Sequence, residues 1–310
     1  MPDVDTKIAR GSRRRKPRKV DEFEDTRSGS HRLTLDHVQF SGDKCAACGP
    51  VCPRKGDLKM SVTHIRHNMD HWQERVDMAA AFRWTARLNM HEGVANHFSL
   101  AVNDDGTKFL MNPNQVHFSR IKASDLIEVD ANNPDTLNGP DAPDPTAWGL
   151  HGGVHRACAH ARCVMHVHSI HATVLATLQD SRLPPIDQNC CTFFNRIVID
   201  EDYGGLAFED EGARCAGLLT DPKQKVMVMG SHGVLVIGDT VADTFNRLFY
   251  FERAAETYIR ALQTGMPLRR IPEDIAEKTA QELEAYPEQD ARHLAELKAI
   301  LDEEGSNYAH

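Results

Sequence analysis

The chain has 310 residues, of which 41% are apolar, and its formal net charge of −9 at pH 7 argues against broad nucleic-acid binding. No run of about 18 apolar residues indicates a membrane span, and the N-terminus lacks the apolar core of a secretory signal. Because eight cysteines in a chain of this length do not resemble a small disulfide-bonded domain, we expect reduced thiols and a cytoplasmic protein.

Two segments precede the predicted fold. Residues 1–35 contain the basic block RGSRRRKPRK and show no hydrophobic period, so we expect a disordered tail. Residues 36–67 form an N-terminal extension in which Cys45, Cys48 and Cys52 follow a C-x2-C-x3-C pattern. A zinc or iron–sulfur site would need a fourth ligand, so free or packed thiols are the simpler interpretation, and the role of this cluster stays open.

The main domain is predicted over 68–270 and opens with a long helix. Apolar side chains recur at helical spacing between 68 and 92. The segments HFSLAV and KFLMNP then predict two strands around the turn NDDGT, because Asp-Gly favours a hairpin, and DLIEVD predicts a third strand.

The second half of this domain alternates helices with strands. After a proline-rich loop at 131–145, AWGLHGGVHRAC predicts a helix, RCVMHVHS a strand and ATVLATL another helix. KVMVMGSHGVLVIG predicts two strands joined by a turn, and a long helix follows with a threonine near its start. These elements predict an α/β fold, with a C-terminal helical extension at 271–310.

Three histidines carry the strongest chemical signal. His166 and His168 alternate along a strand, so their side chains point to the same face and can chelate one ion. His232 lies between two glycines in a turn between two strands, where its ring can project into a cleft. Three imidazoles that leave coordination positions open are typical of a catalytic divalent metal, with zinc, manganese, iron and cobalt as candidates.

These residues resemble the class II aldolase and adducin family. HVHSIHAT is similar to the H-x-H-x-x-H-x-T segment of its sugar-phosphate members, SHGVLVIG to their N-H-G segment, and NHFSLAV with KFLMNP to their early strand pair. The resemblance implies a three-layer α/β/α fold with a mainly antiparallel central sheet. It also implies that His166, His168 and His232 are the metal ligands, the same three that the spacing selects.

One position departs from the family pattern. Where the aldolases place an acid before the helix LHGGVHRA, this sequence has Ala147, which cannot transfer a proton. His97 and His117 lie in loops that the family's fold turns toward the metal, and a histidine can move protons near neutral pH. We therefore expect both as catalytic residues, while a hydrogen-bonded packing role is the alternative for His97.

Other positions are assigned by the resemblance alone. Asn96 and Ser99 fall where the aldolases hold the substrate anion, and Gln188 and Tyr203 lie in segments that resemble the rim of the active site in decarboxylase and adducin relatives. All four are expected to bind substrate. His171 corresponds to the third histidine of the motif and is expected behind the metal ligands.

The expected function is that of a divalent-metal-dependent lyase that breaks a C–C bond in a small hydroxy or oxo acid through a metal-stabilised enolate. Decarboxylation and aldol cleavage share that intermediate, and because loss of CO₂ requires no base to start it, the alanine at 147 favours decarboxylation or an aldol reaction on a non-phosphorylated acid. A non-heme iron oxygenase and a non-catalytic oligomerisation module like the adducin head are the alternatives. The resemblance also implies a homo-oligomer, a tetramer in which a neighbouring chain completes the pocket.

Overall fold

The computed structural model describes residues 69–139, 142–202, 205 and 208–310. The predicted tail, the cysteine-containing extension and Tyr203 lie outside these residues. None of the described helices combines the length and the apolarity that a bilayer-crossing helix requires.

A seven-stranded sheet forms the centre of the fold, in the order β3-β2-β1-β4-β7-β6-β5. All neighbouring strands are antiparallel except β5 and β6, which are parallel. The prediction of an α/β fold with a mainly antiparallel sheet is therefore confirmed. The strands are β1 (His97–Ala101), β2 (Lys108–Met111), β3 (Ile127–Asp130), β4 (Cys163–Val167), β5 (Ile197–Asp200), β6 (Val226–Met229) and β7 (Gly233–Gly238).

Helices cover both faces of this sheet. They are α1 (Trp72–Arg87), α2 (Pro145–Ala157), α3 (Ile170–Ala176), α4 (Gln188–Thr192), α5 (Phe208–Leu218), α6 (Val241–Gln263), α7 (Glu273–Glu284) and α8 (Gln289–Glu303). Because side chains alternate along a strand, Val164 packs with α2 and α5, whereas its neighbour Met165 packs with α1 and α6. The result is a three-layer α/β/α arrangement.

Helices α2 and α5 cross at three glycines. A Cβ atom on Gly212 would overlap the carbonyl oxygen of Gly149, and one on Gly153 would lie 2.6 Å from the backbone of Gly212. The absence of side chains at these positions lets the two backbones touch. The close crossing fixes α2, which carries two of the buried histidines described below, against the sheet.

We expect Gly212→Ala to destabilise the fold by about 1–3 kcal/mol, the usual effect of overpacking a buried site. Gly217→Ala, in the same helix, is the matched control, because no atom lies within 4 Å of its added Cβ. The control should gain roughly 0.5–1 kcal/mol from better helix propensity. Urea unfolding of both variants measures the difference, and equal stability would contradict the close crossing.

The C-terminal segment packs onto the same core as the sheet. Leu297 of α8 is buried, and its carbonyl accepts a hydrogen bond of 2.8 Å from the indole of Trp84. The Lys298 ammonium lies 2.5 Å from the Asp77 carboxylate. Tyr308 is only 2% exposed, and its carbonyl accepts a hydrogen bond from the backbone of Ala123. These contacts join the helices after α6 to α1 and to the loop after β2.

Candidate metal centre

The fold brings together the three histidines selected from the sequence. His166 is on β4, His168 follows the end of that strand, and His232 lies in the turn between β6 and β7. One ring nitrogen from each residue lies within 4.8 Å of those of the other two. Strand pairing explains why the three histidines lie close together. β4 and β7 are antiparallel neighbours, and His166 pairs with Leu235 across them.

The turn that carries His232 has little room for larger residues. Ser231 has a φ of 57°, in the left-handed region that non-glycine residues rarely adopt. A Cβ on Gly233 would lie 2.6 Å from the carbonyl oxygen of Val167 and 2.8 Å from the ring of His168. Glycine is therefore required where β7 begins, because β7 approaches the end of β4 at this point.

Hydrogen bonds orient two of the rings as metal ligands. His166 donates from Nδ1 to the carbonyl oxygen of Val234 at 3.1 Å, and His168 donates from Nδ1 to the Glu92 carboxylate at 2.5 Å. In the neutral state both Nε2 atoms then carry lone pairs, and these atoms lie 3.0 Å apart. Two facing lone pairs repel each other, and a cation between them removes the repulsion.

This geometry fits a divalent ion. Nitrogens bound to one tetrahedral zinc ion at about 2.0–2.1 Å lie roughly 3.3 Å from each other, which is close to the 3.0 Å between the two Nε2 atoms. The His168–Glu92 contact also has the form of the carboxylate–histidine pairs that orient metal ligands. The residues present therefore fit a metal held by His166, His168 and His232.

Burial keeps two of the three candidate ligands, His166 and His232, in their neutral form. Desolvation holds the pKa of His166 well below its usual value, with the neighbouring histidines as further causes. The pKa of His232 falls to about 4, again chiefly through burial. Glu211, whose own pKa is raised by burial, has a carboxylate oxygen 3.9 Å from Nδ1 of His232. Near pH 7 His166 and His232 are therefore unprotonated and able to bind metal.

We expect Glu92→Ala to lower metal affinity about 10–100-fold, the usual effect of losing a carboxylate that orients a ligand histidine. Glu92→Gln should lose less, because its amide oxygen still accepts from His168. Competition with a chromophoric chelator measures the affinity. Glu303→Ala, on the exposed end of α8, is the control. Unchanged affinity in Glu92→Ala would show that this carboxylate does not support the site.

A second set of buried polar residues lies beside the three candidate ligands. His97 pairs with His166 across β1 and β4, and their ring centroids are 5.0 Å apart. Nδ1 of His97 lies 2.7 Å from Nε2 of His151, which in turn contacts the Ser99 hydroxyl through Nδ1. The same hydroxyl lies 2.6 Å from Nε2 of His155. His151 and His155 come from α2, one helical turn apart.

The position of the missing acid lies next to this set. Ala147 is 1% exposed and lines a small cavity together with His97, Asn112 and Asp144. The Asp144 carboxylate caps α2 by accepting from the backbone of Thr146 and also raises the pKa of His97, although burial dominates and lowers that pKa to about 3. A carboxylate is therefore present three residues before Ala147.

Two predicted substrate contacts are buried. Ser99 is 0% exposed, and its hydroxyl bonds to two imidazoles. Asn96 is 2% exposed, and its Oδ1 accepts from the backbone of Glu92 at 2.6 Å and of His168 at 3.4 Å. Its Nδ2 has no hydrogen-bond partner within the part of the chain that the structure describes. Of the two, Asn96 has the group that is still able to donate to a ligand.

The remaining predicted residues contact groups other than the three candidate ligands. His117 caps a short turn, accepting at Nδ1 from the Ser119 backbone, and its Nε2 lies 3.0 Å from that of His91. His171 lies in the first turn of α3 and donates to Glu252 at 2.8 Å. Gln188 begins α4, which packs against α6 and α7. The catalytic role of His117 and the substrate role of Gln188 remain predictions.

Sequence reasoning did not find Glu92, Asp144 or the role of His151. Glu92 lies in a loop without a motif, 76 positions before its partner His168. Asp144 is recognisable as a helix cap before a proline, but a cap alone does not indicate an active site. His151 and His155 are four positions apart in the predicted helix AWGLHGGVHRAC and so share one helix face, whereas their polar partner on β1 is visible only in the fold.

Comparisons with known proteins agree with this architecture. The model of the class II aldolase and adducin N-terminal domain matches residues 76–259. A putative aldolase class 2 protein of Pseudomonas aeruginosa is 31% identical over 205 residues, which cover 66% of this chain and 77% of the relative. The crystal structure of an aldolase II superfamily protein from Pseudomonas syringae superposes with a TM-score of 0.70 at 26% identity, covering 80% of this chain and 100% of that chain.

Two further relatives have names that describe chemistry. Decarboxylase NovR of Streptomyces niveus is 27% identical over 210 residues, covering 67% of this chain and 76% of the relative. A 4-hydroxy-3-prenylphenylpyruvate oxygenase/4-hydroxy-3-prenylbenzoate synthase of Streptomyces roseochromogenus is 28% identical over 210 residues. The match covers 67% of this chain and 74% of the relative. Since the family model spans more than half of the residues, this chain belongs to the class II aldolase and adducin N-terminal domain family.

Proposed function

We propose that this protein is a divalent-metal-dependent lyase that cleaves a C–C bond in a small hydroxy or oxo acid, by aldol cleavage or decarboxylation. The observation that supports this most is the pair of Nε2 atoms of His166 and His168, which face each other at 3.0 Å beside His232. The site also lies in a family whose members are usually lyases, and one relative is named a decarboxylase.

A bound divalent ion would withdraw electrons from chelated substrate oxygens and so ease breakage of the neighbouring C–C bond. Three protein ligands leave positions for those oxygens. His97 is held neutral by burial, so it is able to accept a hydrogen bond from a substrate hydroxyl. The Nδ2 group of Asn96 supplies a donor for a substrate oxygen. Decarboxylation fits Ala147 well, because loss of CO₂ requires no base to start it.

Zinc, a homotetramer and a cytoplasmic location belong to the same proposal. Zinc is favoured by the all-imidazole ligand set, and manganese, iron or cobalt would fit it as well. The apolar side chains of Ile170 and Val174 are 58% and 37% exposed and lie one turn apart on α3, just after the metal ligands. An exposed apolar surface beside the site supports a neighbouring subunit there.

Metal analysis followed by a substrate screen tests the proposal. The full chain, expressed with zinc, manganese, iron or cobalt, should purify with close to one divalent ion per chain. A panel of small hydroxy and oxo acids, including aromatic ones, is then assayed for released CO₂ and for a new carbonyl product. We expect turnover of at least one acid that a chelator stops and the ion restores. A chain that binds none of these ions would contradict the proposal.

An oxygenase is the second candidate, because one relative is named as such and the proposed ligand set also suits iron. An oxygen electrode separates the two, since only the oxygenase consumes O₂ in step with product. With the iron-loaded chain, we expect product to form without O₂ uptake. Stoichiometric O₂ consumption would favour the oxygenase instead.

A further inference from the structure

A buried chain of hydrogen bonds connects the candidate site to a backbone carbonyl inside the fold. From the site inward it runs through His97, His151, Ser99 and His155, and it ends at the carbonyl oxygen of Ala161, 2.8 Å from Nδ1 of His155. None of these four residues is more than 7% exposed. We call these four residues the imidazole relay.

The carbonyl of Ala161 at the inner end determines which atom donates and which accepts in every hydrogen bond of the relay. A carbonyl only accepts, so His155 carries its proton on Nδ1 and, when neutral, accepts at Nε2. The Ser99 hydroxyl therefore donates to His155 and, having a single proton, must accept from Nδ1 of His151. Neutral His151 then accepts at Nε2 from Nδ1 of His97.

Neutrality of the three rings follows from their burial. Desolvation lowers the pKa of His155 to about 4 and holds the pKa of His151 well below its ordinary value. His97 is only 7% exposed, and its Nδ1 is engaged by the lone pair of His151. Among the described residues, Asp144 is the carboxylate that lines the same small cavity as His97. Each ring therefore has one proton and one lone pair.

The outer end of the relay is thereby left with a lone pair. Nδ1 of His97 donates to His151, so Nε2 of His97 is unprotonated. Among the described residues no hydrogen bond reaches this Nε2, and His97 lines the small cavity beside Asn96 and Asp144. The relay cannot pass a proton through the protein, because it ends at a carbonyl that has none to exchange. Its physical effect is to fix the orientation and the tautomer of the His97 ring.

We infer that His151, Ser99 and His155 are positioning residues that hold His97 in the Nδ1–H tautomer, with its Nε2 lone pair available to accept a hydrogen bond from the substrate's hydroxyl group. This inference deepens the proposed function and rests on it for the substrate contact. It names a hydroxy or enolisable oxo acid, whose O–H can donate, as the class that the site would hold in this way. It also gives Ser99 an orienting role in place of substrate contact.

The tautomers are measured directly by nitrogen NMR of the full chain labelled with ¹⁵N-histidine, since the two ring nitrogens have distinct shifts and couplings. We expect His97, His151 and His155 all to carry their protons on Nδ1 at pH 7.5, assigned through single His→Gln variants. This result is diagnostic because free histidine in water favours the proton on Nε2. A proton on Nε2 of His97 overturns the inference.

Ser99→Ala removes the hydroxyl that links the two halves of the relay. We expect His97 and His151 then to show mixed tautomers and turnover to fall about 10-fold or more in kcat with little change in KM. Ser99→Thr, which keeps the hydroxyl, should restore the single tautomer. Ser181→Ala is the control, because Ser181 is also buried and its hydroxyl donates to the backbone carbonyl of Leu178 rather than to an imidazole. A single Nδ1–H tautomer of His97 in folded Ser99→Ala overturns the inference.

The two readouts separate this inference from the proposed function. The spectrum is recorded without turnover, so the expected tautomers together with no lyase activity would leave the orientation intact and contradict the proposed function. Lyase activity together with an Nε2–H tautomer of His97 would support the proposed function and contradict the inferred orientation. If Ser99→Ala does not fold, the tautomers of the unmodified chain decide the question.

Discussion

Replacing His168 with alanine is expected to remove the bound ion and to lower kcat/KM at least about 10³-fold. A metal acting as a Lewis acid contributes several kcal/mol to the reaction, and each 1.36 kcal/mol corresponds to a factor of ten in rate. The fold should survive, because His168 follows the end of β4 and its side chain is 19% exposed rather than packed in the core. Ion content, activity and thermal unfolding are measured on the same preparation.

His160→Ala is the matched control for this experiment. His160 is also a partly buried histidine, and it follows α2 outside the three-histidine group. We expect the control to keep its ion and its activity. If His168→Ala retained a full equivalent of metal with unchanged affinity, the assignment of His168 as a ligand would be wrong.

Mild acid is expected to unfold the protein through its buried histidines. In the unfolded chain a histidine titrates near 6.5, whereas burial lowers the pKa of His97 to about 3 and of His155 to about 4, and lowers that of His151 as well. Between those values the unfolded state binds protons that the folded state does not. The contribution of these histidines to the free energy of unfolding is therefore fully present above about pH 6.5. It is lost progressively as the pH falls below that value.

The expected size of this loss is large. Each such histidine contributes up to about 1.4 kcal/mol per pH unit, so three together reach about 4 kcal/mol per pH unit below pH 6. This is a large fraction of the roughly 5–15 kcal/mol that stabilises a typical domain. Urea unfolding between pH 7.5 and 5, with a chelator present to exclude metal effects, measures the slope.

His310→Ala should leave this acid dependence unchanged, because the side chain of His310 is exposed at the end of the chain. A variant that loses a buried histidine yet folds, such as His155→Gln, should show a shallower slope. A free energy of unfolding that stays constant between pH 7.5 and 5 would show that the buried histidines are protonated in the folded state, contrary to their environment.

Local patterns in the sequence predicted structure and site residues where a short segment contains the pattern by itself. The H-x-H spacing of His166 and His168 and the glycines around His232 pointed to a shared site, and the family resemblance agreed. By contrast, the four-residue strand β5 is not among the strands predicted from the sequence. Its parallel pairing with β6 depends on tertiary contacts rather than on a hairpin.

The sequence by itself therefore determined the α/β class and a candidate set of metal ligands, because side-chain alternation and turn residues act over a few positions. The mainly antiparallel sheet was implied by the family resemblance, and the structure confirms it. Only the tertiary structure decided what surrounds those ligands. Ser99 on β1 joins His151 and His155, more than 50 positions away, and Glu92 reaches His168 across 76. Such partners are selected by the packing of α2 and the loops against the sheet. The direction of the hydrogen bonds through Ser99 depends on a single backbone carbonyl at Ala161.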